Sequence, residues 1–123
     1  NKEITELISG IINATKVLRP GGKILIVSFH SIEDKIVKYF FTNYSSGRPN
    51  PSRYLPNDNN ENILLFEKYK NKFFKPTQNE VEKNFPSRSA KLRYAIRNNN
   101  KFIYPNDLIN KFKKYLDLES TYV

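Results

Sequence analysis

The first quarter of the chain combines a helical and a strand-like hydrophobic pattern. Over residues 3–18, apolar side chains recur at helical spacing, which predicts an amphipathic helix. Its apolar face consists of Ile4, Leu7, Ile8, Ile11, Ile12 and Leu18. Pro20 and the pair Gly21-Gly22 then predict the end of the helix and a turn. Residues 23–29 form a continuous apolar run, which is typical of a strand covered on both faces in a parallel α/β sheet.

A second helix is predicted directly after this strand. Ser31 and Asp34 have the spacing of a capping box, with Ser31 as the capping residue. Apolar residues then recur at helical spacing up to about Thr42, at Ile32, Ile36, Val37 and Phe40. This part of the chain therefore predicts a helix, a buried strand and a second helix in succession.

The middle of the chain predicts a long loop followed by a strand. Residues 43–61 are rich in Asn, Ser, Pro, Gly and Asp, and Arg48, Arg53 and Tyr54 are interspersed among them. Residues 63–69 then have the composition of a strand. The composition of residues 43–61 predicts a long loop that is disordered in the absence of a partner.

The last third predicts a short helix, a strand and a terminal helix. A capping box at Thr77 and Glu80 predicts a helix that ends near Asn84. Alternation over residues 90–97 predicts a half-exposed strand with Lys91, Arg93 and Arg97 on its outer face. Three Asn residues at 98–100 indicate a linker, and residues 106–116 predict one amphipathic helix. We therefore expect two units, residues 1–97 and residues 98–123.

Composition and charge restrict the classes of function. The chain has 123 residues, which suits one small domain or part of a larger one. Its net charge of +9 suits a polyanionic partner, although a Lys-rich proteome would produce the same excess. With no Cys and one His, neither a disulfide nor a zinc site built by this chain alone is expected. The sequence has neither a signal peptide nor a run of about 18 apolar residues, so we expect a cytoplasmic protein without a membrane partner.

Two blocks of the sequence resemble one family. Residues 18–34 read LRPGGKILIVSFHSIED, and the stretch from Phe29 onward resembles the Phe-His-Ser-Leu-Glu-Asp motif of bacterial 16S ribosomal RNA N4-cytosine methyltransferases. Here Ile32 replaces the Leu. The family also carries Lys-Pro, an acidic helix and then Asn-Pro-Arg-Ala-Arg-Ser-Ala-Lys-Leu-Arg, which resembles Lys75-Pro76 and residues 84–93 of this chain. Phe85 and Pro86 depart from that pattern, so one Arg of the motif is missing.

The resemblance covers residues 1–97 and implies a fold and a function. It implies the C-terminal portion of a class I, Rossmann-like α/β sheet, with helix–strand–helix followed by two further strands and a terminal helix. It implies methylation of a cytosine in 16S ribosomal RNA, with S-adenosyl-L-methionine as the cofactor. The family's Gly-rich cofactor loop lies upstream of this region, and the sequence opens without Met. We therefore expect a fragment of a longer enzyme, inactive alone, whose cofactor contacts lie mainly outside it.

The candidate substrate residues follow the predicted strand. His30 lies just past its C-terminal end, where ligands of open α/β sheets bind. The resemblance makes His30 and Glu33 candidates for the wall of the substrate pocket, with Phe29 and Ser31 beside them. The structural alternative is that His30 secures the turn by hydrogen bonds while Ser31, Glu33 and Asp34 stabilise the helix start. Glu33 is the carboxylate that the predicted capping box does not use.

The candidate RNA-binding residues are Arg88, Lys91, Arg93 and Arg97, because a positive strand face can follow an RNA backbone. The alternative is a solvated strand face. Phe73 and Phe74 are aromatic residues of a kind that stacks on bases, but core packing is the commoner role.

Two further classes of function remain. One is a non-enzymatic RNA-binding module, which would begin near Asn1 instead of following a Gly-rich strand–loop–helix. The other is a dimerisation domain that self-associates through an uncovered apolar surface or an unpaired sheet edge.

Overall fold

The computed structural model describes residues 2–46 and 63–121. Within these ranges the fold is mixed α/β, with five α-helices and a two-stranded sheet against which α2 packs. The helices are α1 (Glu3–Val17), α2 (Ser31–Asn43), α3 (Gln78–Lys83), α4 (Asn106–Lys111) and α5 (Lys113–Ser120), and the strands are β1 (Lys23–Ser28) and β2 (Lys91–Ile96). A 3-10 helix spans Phe85–Ser89. Most of the predicted loop at 43–61, including Arg48, Arg53 and Tyr54, lies outside the described residues.

The predicted helix–strand–helix order of the first third is confirmed. The turn between α1 and β1 depends on Gly21, which has a φ of 86° that disfavours any residue with a Cβ. This turn is bonded to the far end of β2, because Gly21 N donates to Arg97 O and Arg97 N donates to Gly22 O, both at 2.8 Å. The turn therefore places the start of β1 beside the end of β2.

The two strands pair antiparallel, with Lys23 opposite Ile96 and Ser28 opposite Lys91. The inner face carries Ile24 and Ala95 and packs against α2. The outer face exposes Leu25 and Val27, at 57% and 53%. The expectation that both faces of β1 are covered is therefore wrong for the described residues. The apolar run gives β1 apolar side chains on both of its faces, but the helices among the described residues cover only one of these faces.

The predicted strand at 63–69 is not formed. Phe66 makes only isolated bridges, a parallel one to Ser45 and an antiparallel one to Arg97. The segment changes partner within two residues, because Phe66 N donates to Tyr44 O and Glu67 N donates to Ile96 O. A regular ladder cannot continue through such a change. Leu65 and Phe66 are nevertheless fully buried, so the hydrophobic pattern marked core residues correctly.

The predicted terminal helix is two helices. Phe112 leaves helical geometry between α4 and α5, with φ −112° and ψ 22°, and its buried ring meets Tyr39 edge-on with centroids 5.6 Å apart. Leu108 and Phe112 are both buried and lie four residues apart, which is the spacing of one helical face, so the apolar face of the predicted helix still packs on the core across the break. The core itself is built around Ile8, Ile36, Phe40, Phe41, Phe66 and Leu108.

The last helix returns to the start of α1. The carboxylate of Glu119 in α5 accepts hydrogen bonds from Ile4 N at 2.9 Å and Thr5 N at 2.7 Å, and from the Thr5 hydroxyl at 2.7 Å. Backbone N–H groups in the first turn of a helix have no partner within the helix. Glu119 therefore caps α1 from the opposite end of the described chain.

None of the helices within residues 2–46 and 63–121 is both long and apolar enough to cross a membrane.

Candidate functional site

A cavity of about 250 Å³ lies at the C-terminal end of β1. The end of the strand and the first turn of α2 form one side of it, and the 3-10 helix and the start of β2 form the other. Its lining includes the predicted site residues Phe29, His30, Ser31, Arg88 and Lys91. The two sequence blocks that resemble the family, separated by more than 40 residues, thus meet around one cavity.

The first turn of α2 places His30 and Glu33 differently from the prediction. His30 is the N-cap residue, one position before Ser31, and has extended backbone geometry. The Glu33 side chain accepts hydrogen bonds from Phe29 N at 3.0 Å and His30 N at 3.3 Å. The capping box exists, but it consists of His30 and Glu33 and not of Ser31 and Asp34. Glu33 is therefore not left over, and it is not among the side chains that line the cavity.

Asp34 is buried and joins the two sides of the cavity. Its two carboxylate oxygens accept hydrogen bonds from Arg93 Nε at 2.6 Å and Arg93 Nη2 at 3.0 Å. These bonds hold the pKa of Asp34 below its usual value although burial opposes the shift. The same bonds raise the pKa of Arg93. Both groups are therefore ionised at neutral pH, and the pair links α2 to β2.

The prediction that β2 has a basic outer face is wrong for two of the three cationic residues that it placed there. Arg93 and Arg97 are only 4% and 5% exposed. Arg93 also donates to Tyr69 Oη at 2.9 Å and to Asn71 Oδ1 at 3.2 Å. The strand is turned the other way, with Arg93 and Arg97 on its inner face together with Ala95 and with Tyr94 outside.

The guanidinium of Arg97 donates hydrogen bonds to backbone carbonyl groups. It donates to Thr15 O at 3.3 Å, in the last turn of α1, and to Leu65 O at 3.2 Å. Burial lowers the pKa of Arg97. A cation near carbonyl groups at a helix C-terminus is favourable, so the placement gives Arg97 a structural role in holding α1 against β2.

The exposed cations next to the cavity lie near exposed aromatic rings. Arg88 places its guanidinium 3.9 Å from the centre of the Phe85 ring, and Lys91 Nζ lies 5.0 Å from that of Phe73. Phe73 and Phe74 are 40% and 51% exposed, so the structure does not support a core role for either ring among the described residues.

Sequence reasoning missed the roles of Asp34 and Lys75. Asp34, Val37 and Phe41 follow helical spacing, and all three are buried, so a helical wheel would have placed Asp34 on the inner face. Lys75 lines the cavity because Phe74 and Leu92 exchange two backbone hydrogen bonds of 2.9 Å, which fix this segment beside β2. No local pattern marks that pairing, since it joins an irregular segment to a strand.

A larger cavity, of about 420 Å³, lies between α1 and the C-terminal helices. Its lining contains none of the residues singled out by the two sequence blocks, so size alone does not identify the functional site. Within residues 2–46 and 63–121, no three His, Asp or Glu side chains are grouped to hold a metal ion.

The described residues do not fit the main grip on S-adenosylmethionine. The one strand-to-helix turn among them, between β1 and α2, contains Phe29 and His30 and no glycine, whereas a nucleotide-type loop needs close backbone approach. The cavity at that turn is lined by Lys75, Arg88 and Lys91. Such a lining disfavours a ligand that carries sulfonium and ammonium cations.

Comparison with known proteins agrees with the two sequence blocks. Residues 1–98 match the MraW methylase family. "Ribosomal RNA small subunit methyltransferase H" of Hyphomonas neptunium is 41% identical over 99 residues, which cover 80% of this chain and 29% of that protein. The proteins of the same name from Novosphingobium aromaticivorans and Buchnera aphidicola are 44% and 43% identical over 97 residues, covering 79% and 77% of this chain and 29% and 31% of theirs.

The chain thus spans about 30% of the length of the curated relatives that it matches. The matched region contains both sequence blocks and every residue described around the cavity, whereas α4 and α5 lie beyond it. The resemblance stated from the sequence is confirmed, and the chain belongs to the MraW methylase family.

Proposed function

We propose that this chain is the C-terminal portion of a class I methyltransferase that methylates N4 of a cytosine in 16S ribosomal RNA, with S-adenosylmethionine as methyl donor. The observation that carries the proposal is the meeting of the two sequence blocks around one cavity at the end of β1. Ligand sites of open α/β sheets lie at the carboxyl ends of their strands. The names of the relatives support methylation of small-subunit ribosomal RNA.

In this proposal β1 is an inner strand of a larger sheet and β2 is an antiparallel neighbour on one side of it. Mixed sheets of this kind are common among doubly wound folds. The exposed outer face of β1, with Leu25 and Val27, supports the placement because an inner strand needs cover on both faces. Other parts of the parent protein would supply that cover and the grip on the cofactor.

The chain's own residues would act on the RNA side of the reaction. A cytosine within folded RNA must leave its stack before its amine can react. The exposed Phe29 ring offers an apolar wall, and His30 offers ring nitrogens that can hydrogen-bond a base. Positioning is the main contribution expected of them, because the amine can lose its proton after attack without a strong base. Glu33 would act indirectly, by holding the Phe29–His30 turn.

The first test compares the native protein with the isolated 123-residue chain. We expect the intact mass of the native protein to exceed that of this chain by the mass of a few hundred residues. We also expect the isolated chain to transfer no methyl group to small-subunit RNA. Turnover by the isolated chain would contradict the division of labour proposed here. A native mass equal to that of this chain would favour the non-enzymatic RNA-binding module.

A second test addresses His30 in the native protein. His30→Ala is expected to lower kcat/KM for RNA methylation about 10- to 100-fold through loss of base positioning. Lys16→Ala, at an exposed site on α1 away from the cavity, is the control and should leave kcat/KM unchanged. Equal activity of the His30→Ala protein and the wild type would remove His30 from the pocket wall.

A further inference from the structure

The cavity at the end of β1 is electrically positive. Lys75, Arg88 and Lys91 line it from three different segments, namely the stretch before α3, the 3-10 helix and the start of β2. Among the described residues that line it, Asp34 is the one carboxylate, and it is bonded twice to Arg93 and lies 3.7 Å from Lys91 Nζ. With Arg93 included, four cationic side chains surround this single carboxylate, so the described lining keeps an excess of positive charge.

The start of α2 adds to this positive field. Ser31 lines the cavity, and the 13-residue helix behind it carries a partial positive charge at this end. The Glu33 carboxylate offsets part of that charge and already accepts from Phe29 N and His30 N. The field of the cavity therefore comes mainly from the three cationic side chains, with the helix as a smaller contribution.

Charge and size together select the ligand class. The volume of about 250 Å³ is below the ~300–1,000 Å³ typical of pockets for whole small molecules, but it is ample for a phosphate group with water. The cofactor of the proposed reaction has no phosphate, and its sulfonium and ammonium groups outweigh its single carboxylate, so it is a net cation. The RNA substrate carries one negative charge at each linkage.

We propose that this cavity binds a single phosphodiester of the RNA strand beside the target nucleotide, with Lys75 and Lys91 as its main ligands. This inference rests on the proposed function, because it assumes RNA as the substrate. Lys91 Nζ lies 3.7 Å from Asp34 Oδ2, so Asp34 holds it at the cavity while leaving it 37% exposed for a phosphate oxygen. Phe73 and Phe85, exposed beside Lys91 and Arg88, offer rings to the bases on either side of that phosphate.

The test measures binding of the native protein to a single-stranded oligoribonucleotide with the target sequence, as a function of salt. A series of probes carries one neutral methylphosphonate, moved from linkage to linkage. One linkage should weaken wild-type binding more than its neighbours. In Lys75→Gln and Lys91→Gln, neutralising that linkage should have a smaller effect than in the wild type, because one of the two lysine ligands is lost. The salt dependence should also weaken in each variant, by at most about 0.7 in the slope of log K against log salt, which is the contribution of one phosphate. Lys16→Gln is the matched control and should retain both the slope and the sensitive linkage.

The outcomes separate the two levels of the proposal. If the RNA binds but Lys75→Gln and Lys91→Gln keep the wild-type slope and linkage profile, the cavity does not hold the phosphate and the inference is wrong. Equal losses in all three variants would indicate diffuse electrostatic binding and would also overturn it. If the native protein does not bind the RNA at all, the proposed function itself fails.

Discussion

Asp34 is the residue on which the geometry of the site depends most directly. It belongs to the first turn of α2, yet its carboxylate is bonded to Arg93 of β2. This buried ion pair therefore links the two sides of the cavity, in addition to the β1–β2 ladder and the contact between Lys91 and Asp34. A buried pair of this kind need not stabilise more than an apolar pair would, but removing one partner leaves the other charge buried alone.

Asp34→Asn is expected to lower the free energy of unfolding by about 3 kcal/mol at pH 7, the lower end for a broken buried pair, because Asp34 borders an open cavity. Asp117→Asn, on exposed α5, is the control and should change it by less than about 0.5 kcal/mol. Urea unfolding monitored by circular dichroism provides the measurement. Equal midpoints for the two variants would show that the pair contributes little.

The difference between wild type and Asp34→Asn should also depend on pH. The pKa of Asp34 is lowered in the folded protein by the hydrogen bonds from Arg93. Its stabilisation is therefore complete above the unfolded pKa of about 3.9 and is lost as pH falls through the lower folded pKa. Urea midpoints measured from pH 7 to pH 2 should converge below about pH 4. A constant difference across that range would exclude ionisation of Asp34 as its cause.

The sequence motifs identified several residues of the candidate site. The sequence did not reveal which face of β2 each side chain occupies. Phe29, His30, Ser31, Arg88 and Lys91 were singled out from the two blocks, and they line one cavity. Arg93 and Arg97 were placed on the wrong face, because alternation defines two faces of a strand without saying which one is buried. Only the partners Asp34 and Thr15, distant in the sequence, decide that question.

At the scale of elements, patterns with local causes were predicted well. The predicted N-cap at Thr77 is present, with Glu80 N donating to the Thr77 hydroxyl at 3.2 Å, and α3 ends beside Asn84 as expected. The strand expected at 63–69 was wrong because Phe66 is placed by tertiary packing, which overrides local propensity. The single terminal helix was also wrong, since the backbone leaves helical geometry at Phe112.

The contact between α1 and α5 gives an element-scale prediction. Burial raises the pKa of Glu119, but the hydrogen bonds from the Thr5 hydroxyl and from Thr5 N and Ile4 N outweigh it, so the net shift is downward. Glu119→Gln is expected to destabilise the protein by about 1 kcal/mol at pH 7, as loss of a helix cap does. The loss should shrink as pH falls below about 4.3, the unfolded pKa, and disappear below the folded pKa.

Hydrogen exchange distinguishes this cap from a general effect on stability. In Glu119→Gln the amides of Ile4 and Thr5 should exchange faster, whereas amides of β1 should change only as far as global stability does. Uniform acceleration throughout the chain, with no excess at Ile4 and Thr5, would contradict a local capping role.

For the molecule as a whole, the outer face of the sheet is the surface through which the isolated chain is expected to self-associate. Leu25, Val27 and Tyr94 lie side by side there and are exposed, with Phe74 stacked against Tyr94 at 6.3 Å between ring centres. Contiguous apolar surface of this kind promotes association. The one sheet among the described residues is two-stranded and antiparallel, so the parallel sheet expected from the apolar run is not found there.

We therefore expect the isolated 123-residue chain to self-associate with rising concentration in analytical ultracentrifugation. The double substitution Leu25→Thr and Val27→Thr keeps β-branched or strand-compatible side chains on the exposed face and should shift the equilibrium toward monomer. Val17→Thr, an exposed apolar position on α1, is the control and should not. A wild-type chain that stays monomeric at every concentration would show that the exposed face is not adhesive.

The cap that Glu119 provides has a consequence for the order in which the chain acquires its structure during synthesis. Proteins emerge from the ribosome with their N-terminal residues first. The first turn of α1 is made early, but the carboxylate that satisfies Ile4 N and Thr5 N is made more than 110 residues later. On a nascent chain, that turn lacks these acceptors until α5 has been synthesised, so completion of the N-terminal cap of α1 is coupled to the synthesis of α5.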